Sequence, residues 1–465
     1  MLFTVTYSDS LRQIATNLLL IKQIRMKKNV LALASILFLA LTANAQKVEF
    51  EEYDLSNGLH VILHQDNSAP VVTVNVMYHV GAKDEEDGKT GMAHFYEHLL
   101  FTGTKNIERG KWSEIQSARG GTGNATTDWD RTNYYQTYPS NELQLALWME
   151  SERLLHPIID QKAVDTQNEV VKEEKRERMD NAPYGKVIYG DVYNHIFDKH
   201  NYGRPMIGYI KDLDAATLEE FQAFYNKWYM PNNAVLVVAG DFDKGETKAW
   251  IKDYFASIPK REEPKRVKII EPERTQEKRV EEFDSNIQLP LVGMAFKTPS
   301  FKDRDAKVLN VISTILSDGK SSRLYKKLVD DKKMALQAFS FSRPLEDYSV
   351  YLIGSILAQG TNNDDLIKEI DEEIVKLQTE LISDEDLQKV RNKFENQFVA
   401  SNSNVEGIAS SLARYYLLGG DTNMINKELD IINSITKEEV RDVAKKYLAK
   451  DRRVVMDYLP ASQKK

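Results

Sequence analysis

Two histidines and one glutamate lie within five residues of a 465-residue chain that has eight histidines in all. His98 follows His94 by four residues, and Glu97 lies between them. Residues three and four apart share one face of an α-helix, so the two imidazoles could bind one metal ion. Zinc-dependent hydrolysis uses imidazole and carboxylate ligands, an open position for water, and a second carboxylate that accepts the proton of the water. The alternative is that the three side chains are ordinary solvated residues of a helix.

A third metal ligand has to come from another segment of the chain. Residues 165–181 have a helical pattern and are rich in acidic side chains. Adjacent helical residues point about 100° apart, so the spacing alone does not choose a ligand among them. Most acidic runs of this kind are solvated helix faces. The candidates are Glu169, Glu173, Glu174 and Glu177.

The composition limits the class of protein and the kind of metal site. Hydrophobic residues make up 42% of the chain and charged residues 28%, as in an ordinary globular protein. The formal net charge of -8 predicts no basic surface, so nucleic acid is not an expected partner. The chain has no cysteine, which excludes thiolate ligands, a cysteine nucleophile and disulfides.

The N-terminal region is similar to a secretory signal. Residues 26–45 combine two lysines, an apolar run and a small-residue ending, and we predict a signal peptide cleaved after Ala45. The apolar run of about 12 residues is too short to span a bilayer, so no stable membrane anchor is expected. Residues 1–25 are interpreted as an upstream extension. The mature protein is therefore predicted to be exported, either to the periplasm or out of the cell.

The order of predicted elements recurs along the chain. Alternating apolar residues predict strands at 59–64 and 71–80, interpreted as a β-hairpin, and a helical pattern follows from residue 91. After a charged, proline-containing segment at 259–274, a strand, a polar turn and a helix follow again. This second helix, "AKVLNVISTILS", contains neither histidine nor glutamate. Only the first copy is therefore expected to bind a metal.

The recurrence predicts the fold class and the domain limits. We expect an α+β fold with two homologous domains, each an antiparallel or mixed β-sheet that helices cover on one face. The predicted limits are 46–258 for the first domain, 259–280 for a linker and 281–465 for the second domain.

Several separate motifs resemble those of one peptidase family. The family is the pitrilysin-type, or inverzincin, zinc metallopeptidases with the order His-x-x-Glu-His, and it includes insulin-degrading enzyme and the mitochondrial processing peptidases. The chain is most similar to the short, two-domain bacterial members. The matching stretches are "GMAHFYEHLLFTGT", "GGTGNATTDWDRTNYYQTYP", "NEVVKEEKRERMDN", "YGRPMIGYIKDL" and "WYMPNNAVLVVAGDFD".

The resemblance implies a role for each residue of the metal site. It implies one Zn²⁺ per chain, with His94 and His98 as ligands and Glu174 as the ligand that completes the set. Glu97 would be the general base rather than a ligand. Many members carry an outer glutamate seven residues before the ligand glutamate, where this chain has Gln167. Because a residue at that position contacts a ligand and not the metal, glutamine there is expected to affect the fine properties of the site more than zinc binding itself.

The resemblance also implies how a peptide substrate binds. Family members bind it as an added strand on a sheet edge, and "NAT" matches that edge-strand signature. Asn124 and Ala125 are therefore expected to hydrogen-bond the substrate backbone, which tolerates many side chains. Without the resemblance, Asn124 would be interpreted as a turn residue beside Gly123.

The second half departs from the pattern of active members. These carry an arginine and a tyrosine, seven residues apart, that contact the substrate and stabilise the oxyanion. The corresponding positions here hold Val329 and Leu336, whereas Arg323 and Tyr325 lie earlier and are interpreted as helix-packing residues. Loss of one oxyanion donor can slow a reaction by about a hundredfold or more. The chain is therefore expected to form a homo- or heterodimer, most simply with a zinc-less homologue that carries the Arg/Tyr pair.

Together these features predict an exported zinc endopeptidase that cleaves peptides or unfolded protein segments. One alternative is a weakly catalytic or non-catalytic peptide-binding subunit of a hetero-oligomeric complex, which the missing Arg/Tyr pair would favour. A metal-dependent hydrolase of non-peptide substrates also fits the histidine motif alone, although the edge-strand signature argues against it.

Overall fold

The computed structural model of the chain describes residues 47–464 and contains two β-sheets, one from each half of the sequence. The predicted extension at 1–25, the signal peptide at 26–45 and its cleavage after Ala45 lie outside the described residues. Within the described range, no helix has both the length and the apolar character needed to cross a bilayer.

The first sheet has six strands in the order β1-β2-β6-β3-β5-β4. The predicted hairpin between β2 and β3 is wrong, because β6 lies between them, parallel to β2 and antiparallel to β3. Every residue of β6 is buried, so it takes a central place that two sequence neighbours would otherwise share. The strands are β1 Glu51–Asp54, β2 His60–Gln65, β3 Val71–Tyr78, β4 Thr122–Thr127, β5 Thr132–Pro139 and β6 Ala234–Gly240.

The second sheet repeats this arrangement with five strands in the order β7-β11-β8-β10-β9. Its last strand in sequence, β11, is again inserted parallel to the first strand, β7, and antiparallel to β8. The expected α+β fold with two homologous domains is thus confirmed, and β4 and β9 occupy equivalent free edges. The strands are β7 Lys278–Asp284, β8 Leu291–Pro299, β9 Ala335–Arg343, β10 Tyr348–Leu357 and β11 Arg453–Pro460.

Each half has several helices, most of which cover one face of the sheet of that half and build its main core. In the first half they are α1 Met92–Leu99, α2 Trp112–Ala118, α3 Leu143–Leu155, α4 Gln161–Lys175, α5 Val192–Ile196, α6 Ile210–Ala215, α7 Leu218–Trp228 and α8 Lys244–Phe255. In the second half they are α9 Arg304–Ser317, α10 Asn363–Thr379, α11 Asp384–Ser401, α12 Val405–Arg414, α13 Glu428–Asn433 and α14 Lys437–Tyr447. A π-helical turn, Arg176–Asp180, continues α4.

The opposite face of each sheet contacts an element from the other half. Helix α12 packs on β3 and β6, where the Asn75 amide donates to Ser410 Oγ at 3.3 Å. Helix α5 packs on β8 and β11 in a third apolar cluster. Because of this exchange, the described residues from Glu49 onward form one compact unit. Residues 259–277 contain neither helix nor strand, and the domain limits 46–258 and 281–465 stay a prediction.

A buried cluster of charged groups joins the two halves. The Lys83 ammonium lies 2.9 Å from Asp130, 2.7 Å from Glu346 and 3.1 Å from Asp347. His79 Nε2 also lies 2.7 Å from Glu346. Burial opposes ionisation of Glu346, but His79 and Lys83 outweigh it and hold the pKa of that carboxyl well below its usual range. The second-half carboxylate is therefore stabilised by Lys83 and His79 of the first half.

Candidate metal centre

Helix α1 carries the histidines and is fixed by packing on its apolar side. Phe95 and Leu99 are fully buried in the first core, and the helix contacts β4 and β5. The chain enters α1 through Gly91, which has a φ of 90°. A Cβ at this position would lie 2.7 Å from the carbonyl oxygen of Ile207, so both the backbone conformation and the space require glycine.

Helix α4 brings Glu174 to the histidines. Asp160 caps α4 by accepting from the Ala163 N–H at 3.0 Å, and the helix contacts α1. Glu174 Oε2 lies 2.9 Å from His98 Nε2 and 3.6 Å from His94 Nε2. One donor atom from each of the three residues lies within 4.8 Å of the others.

The other three acidic candidates of this segment, Glu169, Glu173 and Glu177, are exposed. Of the four glutamates that the helical spacing left as candidates, the structure therefore places Glu174 beside the two histidines.

The three side chains fit a zinc ion by an independent criterion. His98 Nε2 and Glu174 Oε2 are buried and, although they lie 2.9 Å apart, neither makes a hydrogen bond of acceptable geometry within residues 47–464. Buried polar atoms without a partner are costly unless a cation or another group satisfies them. Ligands at about 2.0–2.1 Å in a tetrahedron are separated by roughly 3.3 Å. The distances from Glu174 Oε2 to His98 Nε2 and to His94 Nε2, 2.9 and 3.6 Å, lie close to this value. Two imidazoles with one carboxylate are also a donor set that zinc accepts.

Electrostatics keep the Glu174 carboxylate ionised. Burial opposes its charge, but the neighbouring His94 and His98 rings outweigh burial and hold the pKa of Glu174 well below its usual range. The second oxygen, Oε1, lies 2.7 Å from Arg178 Nη1, which is one helical turn further along. Oε1 is therefore engaged by a cation while Oε2 faces the histidines.

Glu97 and Gln167 lie on the two helices that carry the three residues of this centre. Glu97, on α1, is partly exposed, and its charge adds to burial in raising the pKa of Tyr134. Gln167 is half-buried on α4, two turns before Glu174. His94 Nδ1 is buried and finds no hydrogen-bond partner in the described part of the chain, so the glutamine does not orient that ring through Nδ1. The predicted roles of Glu97 and Gln167 stay predictions.

Asn124 and Ala125 lie on β4, the free edge of the first sheet. The Asn124 side chain is exposed, whereas Ala125 is buried towards α1. The Ala125 N–H donates to Asn124 Oδ1 at 2.9 Å, so an added strand that used this N–H would have to displace the side chain. The edge lies beside the helix that carries His94 and His98, as an added-strand substrate requires.

Two further side chains contact a ligand residue or the helix that carries the histidines, and neither was predicted from the sequence. Arg178 contacts Glu174, and its i,i+4 spacing was a signal that could have identified it. Glu85 accepts two backbone N–H groups at the start of α1, from Gly91 and Ala93. No periodic pattern identifies Glu85, because it lies in the loop before the helix.

In the second half, the two substituted positions lie near the equivalent edge strand. Val329 is partly buried against the second core, and Leu336, on β9, is 59% exposed. Arg323, which the sequence assigned to helix packing, lies 3.2 Å from Asp386. No metal-binding cluster of histidines and carboxylates is found in the described residues of this half.

Comparisons with known proteins agree with the fold and identify a peptidase family. The family model "Insulinase (Peptidase family M16)" matches residues 60–209, and the model "Peptidase M16 inactive domain" matches residues 215–394. The zinc protease PqqE of Helicobacter pylori is 30% identical over 434 residues, which cover 90% of this chain and 96% of the relative.

A probable mitochondrial-processing peptidase subunit beta of Arabidopsis thaliana is 25% identical over 85% of this chain and 75% of its own length. Among solved structures, a protease from Helicobacter pylori matches with a TM-score of 0.83 and 28% identity, covering 88% of this chain and 99% of that one. These matches extend over both halves, and the relatives by sequence are named as peptidases of the zinc-dependent type or as a processing-peptidase subunit. The chain therefore belongs to peptidase family M16, the pitrilysin-type family of the insulinases.

Proposed function

We propose that the protein is an exported zinc-dependent endopeptidase that hydrolyses peptides or unfolded protein segments bound as an added strand along β4. The observation that carries this proposal is the convergence of His94, His98 and Glu174 beside a free sheet edge. A metal centre alone fits many hydrolases, but a neighbouring unpaired strand favours an extended peptide as substrate.

Each residue of the site has a separate role in hydrolysis. His94, His98 and Glu174 would hold the zinc, which when bound supplies a Lewis acid for activating water and polarising a carbonyl. Glu97, on the same helix, takes the proton from the attacking water and later delivers it to the leaving amine. The backbone of Asn124 and Ala125 aligns the substrate with these groups.

Replacement of the base tests this mechanism. Glu97→Gln should lower peptide cleavage by at least about a hundredfold, because the proton acceptor is lost, and should leave zinc content unchanged. Glu173→Gln is the matched control, since Glu173 is exposed on α4 and pairs with Arg176 at 2.7 Å. Zinc content by mass spectrometry and cleavage of a quenched fluorescent peptide library measure the two effects. Cleavage retained in Glu97→Gln would refute the assigned base.

We also propose that the active form is a dimer. Val329 and Leu336 replace the arginine and tyrosine of active members, so another chain would supply these groups across the cleft. The partner is most simply a zinc-less homologue that carries the Arg/Tyr pair. The alternative is a homodimer, in which the second copy also has Val329 and Leu336 and would not supply this pair. Native mass measurement of the mature protein, alone and with candidate partners, tests this. A monomer with full peptidase activity would contradict it.

A second candidate function rests on the same two positions. With Val329 and Leu336 in place, the chain could serve as a peptide-binding subunit with little activity of its own. Against this, the four residues His94, Glu97, His98 and Glu174 are all retained, which a purely structural subunit does not need. Peptide binding without cleavage, in the zinc-loaded protein and with every tested partner, would favour the subunit function.

Export is proposed from the N-terminal sequence. Residues 26–45 would direct the chain out of the cytoplasm and would be removed after Ala45. N-terminal sequencing of the protein from extracytoplasmic fractions should find Gln46 as the first residue.

A further inference from the structure

We propose that Glu85 is a positioning residue for the metal centre, whose carboxylate fixes the first turn of α1 and so the direction in which His94 and His98 present their Nε2 atoms. This inference rests on the proposed zinc site and adds a residue to it. It assigns Glu85 no contact with metal or substrate.

The geometry around Glu85 is that of a cap supplied from outside the helix. Oε2 accepts from the Gly91 N–H and Oε1 accepts from the Ala93 N–H, each at 2.8 Å. The first N–H groups of a helix have no partner within it, and Gly91, at the N-cap, has no side chain to satisfy them. Glu85 is 3% exposed, so its carboxyl group, rather than solvent, is the partner of the Gly91 and Ala93 N–H groups.

The carboxylate is held in place by the loop that carries it. The backbone carbonyl of Glu85 accepts from Arg204 Nη1 at 2.7 Å, and the carbonyl of Lys83 accepts from the Asn201 amide at 2.7 Å. At the other end of the loop, Thr90 Oγ1 donates to Asp212 at 2.6 Å. The loop is thus fixed at several points, and Glu85 acts as a rigid support.

The position of this support makes it specific to the histidines. Ala93 immediately precedes His94, so a change in the Ala93 N–H moves the first ligand directly. Helix α1 has only eight residues, and a helix of about two turns depends on its ends for stability because it has few internal hydrogen bonds. His98 is four residues further on and follows any rotation of the first turn.

Glu85→Gln tests the inference because the amide keeps the shape but replaces one acceptor with a donor that faces a backbone N–H. The matched control is Glu271→Gln. Glu271 is also 3% exposed and accepts backbone N–H groups, from Asp198, Lys199 and His200, but it lies in the segment between the two sheets. Both variants remove one acceptor from a buried carboxyl group that binds backbone N–H groups, so Glu271→Gln controls for that loss at a distance from the histidines.

Zn²⁺ affinity by chelator competition and the absorption spectrum of the Co²⁺-substituted full chain are the readouts. Glu85→Gln should weaken Zn²⁺ binding by about tenfold to a hundredfold and alter the Co²⁺ spectrum, whereas Glu271→Gln should change neither. Glu85→Asp, which keeps a carboxylate, should restore part of the affinity, and it carries the test if Glu85→Gln does not fold.

Wild-type affinity and spectrum in Glu85→Gln would overturn the inference, as would an equal loss of affinity in Glu271→Gln. Wild-type protein that bound no Zn²⁺ would overturn the proposed function together with this inference. The two failures are therefore distinguishable without measuring peptidase activity.

Discussion

The two halves of the protein share one strand order, yet within residues 47–464 only the first carries a convergent set of metal-ligand atoms. In the first half, the helix after β3 is α1, which contacts β4 and β5 and carries His94 and His98. In the second half, the helix after β8 is α9, which buries mainly apolar residues such as Leu309 and Ile312. The shared sheet thus provides a place for a helix, and the side chains of that helix decide whether chemistry occurs there.

The connections that lead into these two helices also differ. Residues 300–303 link β8 directly to α9, and Asp303 at its N-cap makes no side-chain cap bond. Residues 79–91 form a much longer connection to α1, which contains both the Glu85 support and Lys83 of the cluster between the halves. Through Glu85 and Lys83, the longer connection therefore fixes α1 and links it to the second half. The short connection before α9 has no equivalent of these two residues.

Glu174→Gln should have the largest effect, because it removes a ligand of the metal centre that distinguishes the first half from the second. Loss of one of three ligands should weaken Zn²⁺ binding by on the order of a thousandfold, more than the tenfold to hundredfold typical of groups that act through a ligand. Glu173→Gln, one position earlier and exposed, should bind like the wild type. Chelator competition measures both affinities, and equal affinities in the two variants would show that Glu174 is not a ligand.

Glu346→Gln should loosen the contact between the halves. Loss of a partner in a buried ion pair should lower the free energy of unfolding by about 3 kcal/mol at neutral pH. Because the folded-state pKa of Glu346 lies below the ordinary value of 4.5, its stabilisation is present above that pH and is lost as the pH falls through the folded pKa. Urea unfolding at several pH values tests this, with exposed Glu262→Gln as the control. A variant as stable as the wild type at pH 7 would contradict it.

Glu85 should give the opposite dependence on pH. Burial raises its pKa to about 8, against the Gly91 and Ala93 N–H groups and Arg204, which lower it, while Asp84 adds to the rise. The folded state therefore holds a proton that the unfolded state releases above about pH 4.5, so stability should fall with rising pH. The slope should approach about 1.4 kcal/mol per pH unit between pH 5 and 8.

Glu85→Gln should lack this contribution. Unfolding of both proteins after metal removal isolates it from zinc release. Parallel stability curves for the wild type and Glu85→Gln across this pH range would show that the carboxyl does not titrate there.

The smallest expected effect is on KM, when side chains on the two free edges, β4 and β9, are replaced. Asn124→Ala on β4 should raise the KM for peptides about threefold to tenfold, because the amide that a bound peptide would displace from the Ala125 N–H could then no longer hydrogen-bond that peptide. Gln337→Ala, at the exposed β9 edge, should leave KM unchanged. Zinc content should stay constant in both variants. An equal rise in KM for the two would mean that substrate does not distinguish β4 from β9.

The sequence was informative where a signal was local. The i,i+4 spacing of His94 and His98 places them on one helix face, and the recurring strand, turn and helix predicted the duplicated fold correctly. The choice of Glu174 required the family resemblance, because the neighbouring glutamates of an acidic helix have the same chemistry. In the structure, the packing of α4 against α1 makes that distinction.

The failures of sequence-based prediction have a common physical cause. The hairpin of β2 and β3 was wrong because β6, from far along the chain, is buried on both faces and inserts between them. Glu85 was missed because its partners, Gly91 and Ala93, are backbone groups that carry no side-chain signature. Both features depend on contacts that neither residue type nor periodicity encodes.

Anomalous diffraction from crystals of the zinc-loaded protein, recorded at the zinc absorption edge, tests the central claim most directly. The account predicts one strong peak per chain, bounded by Nε2 of His94, Nε2 of His98 and Oε2 of Glu174, and none beside α9. A peak elsewhere, or no peak in protein that contains zinc by mass spectrometry, would contradict it.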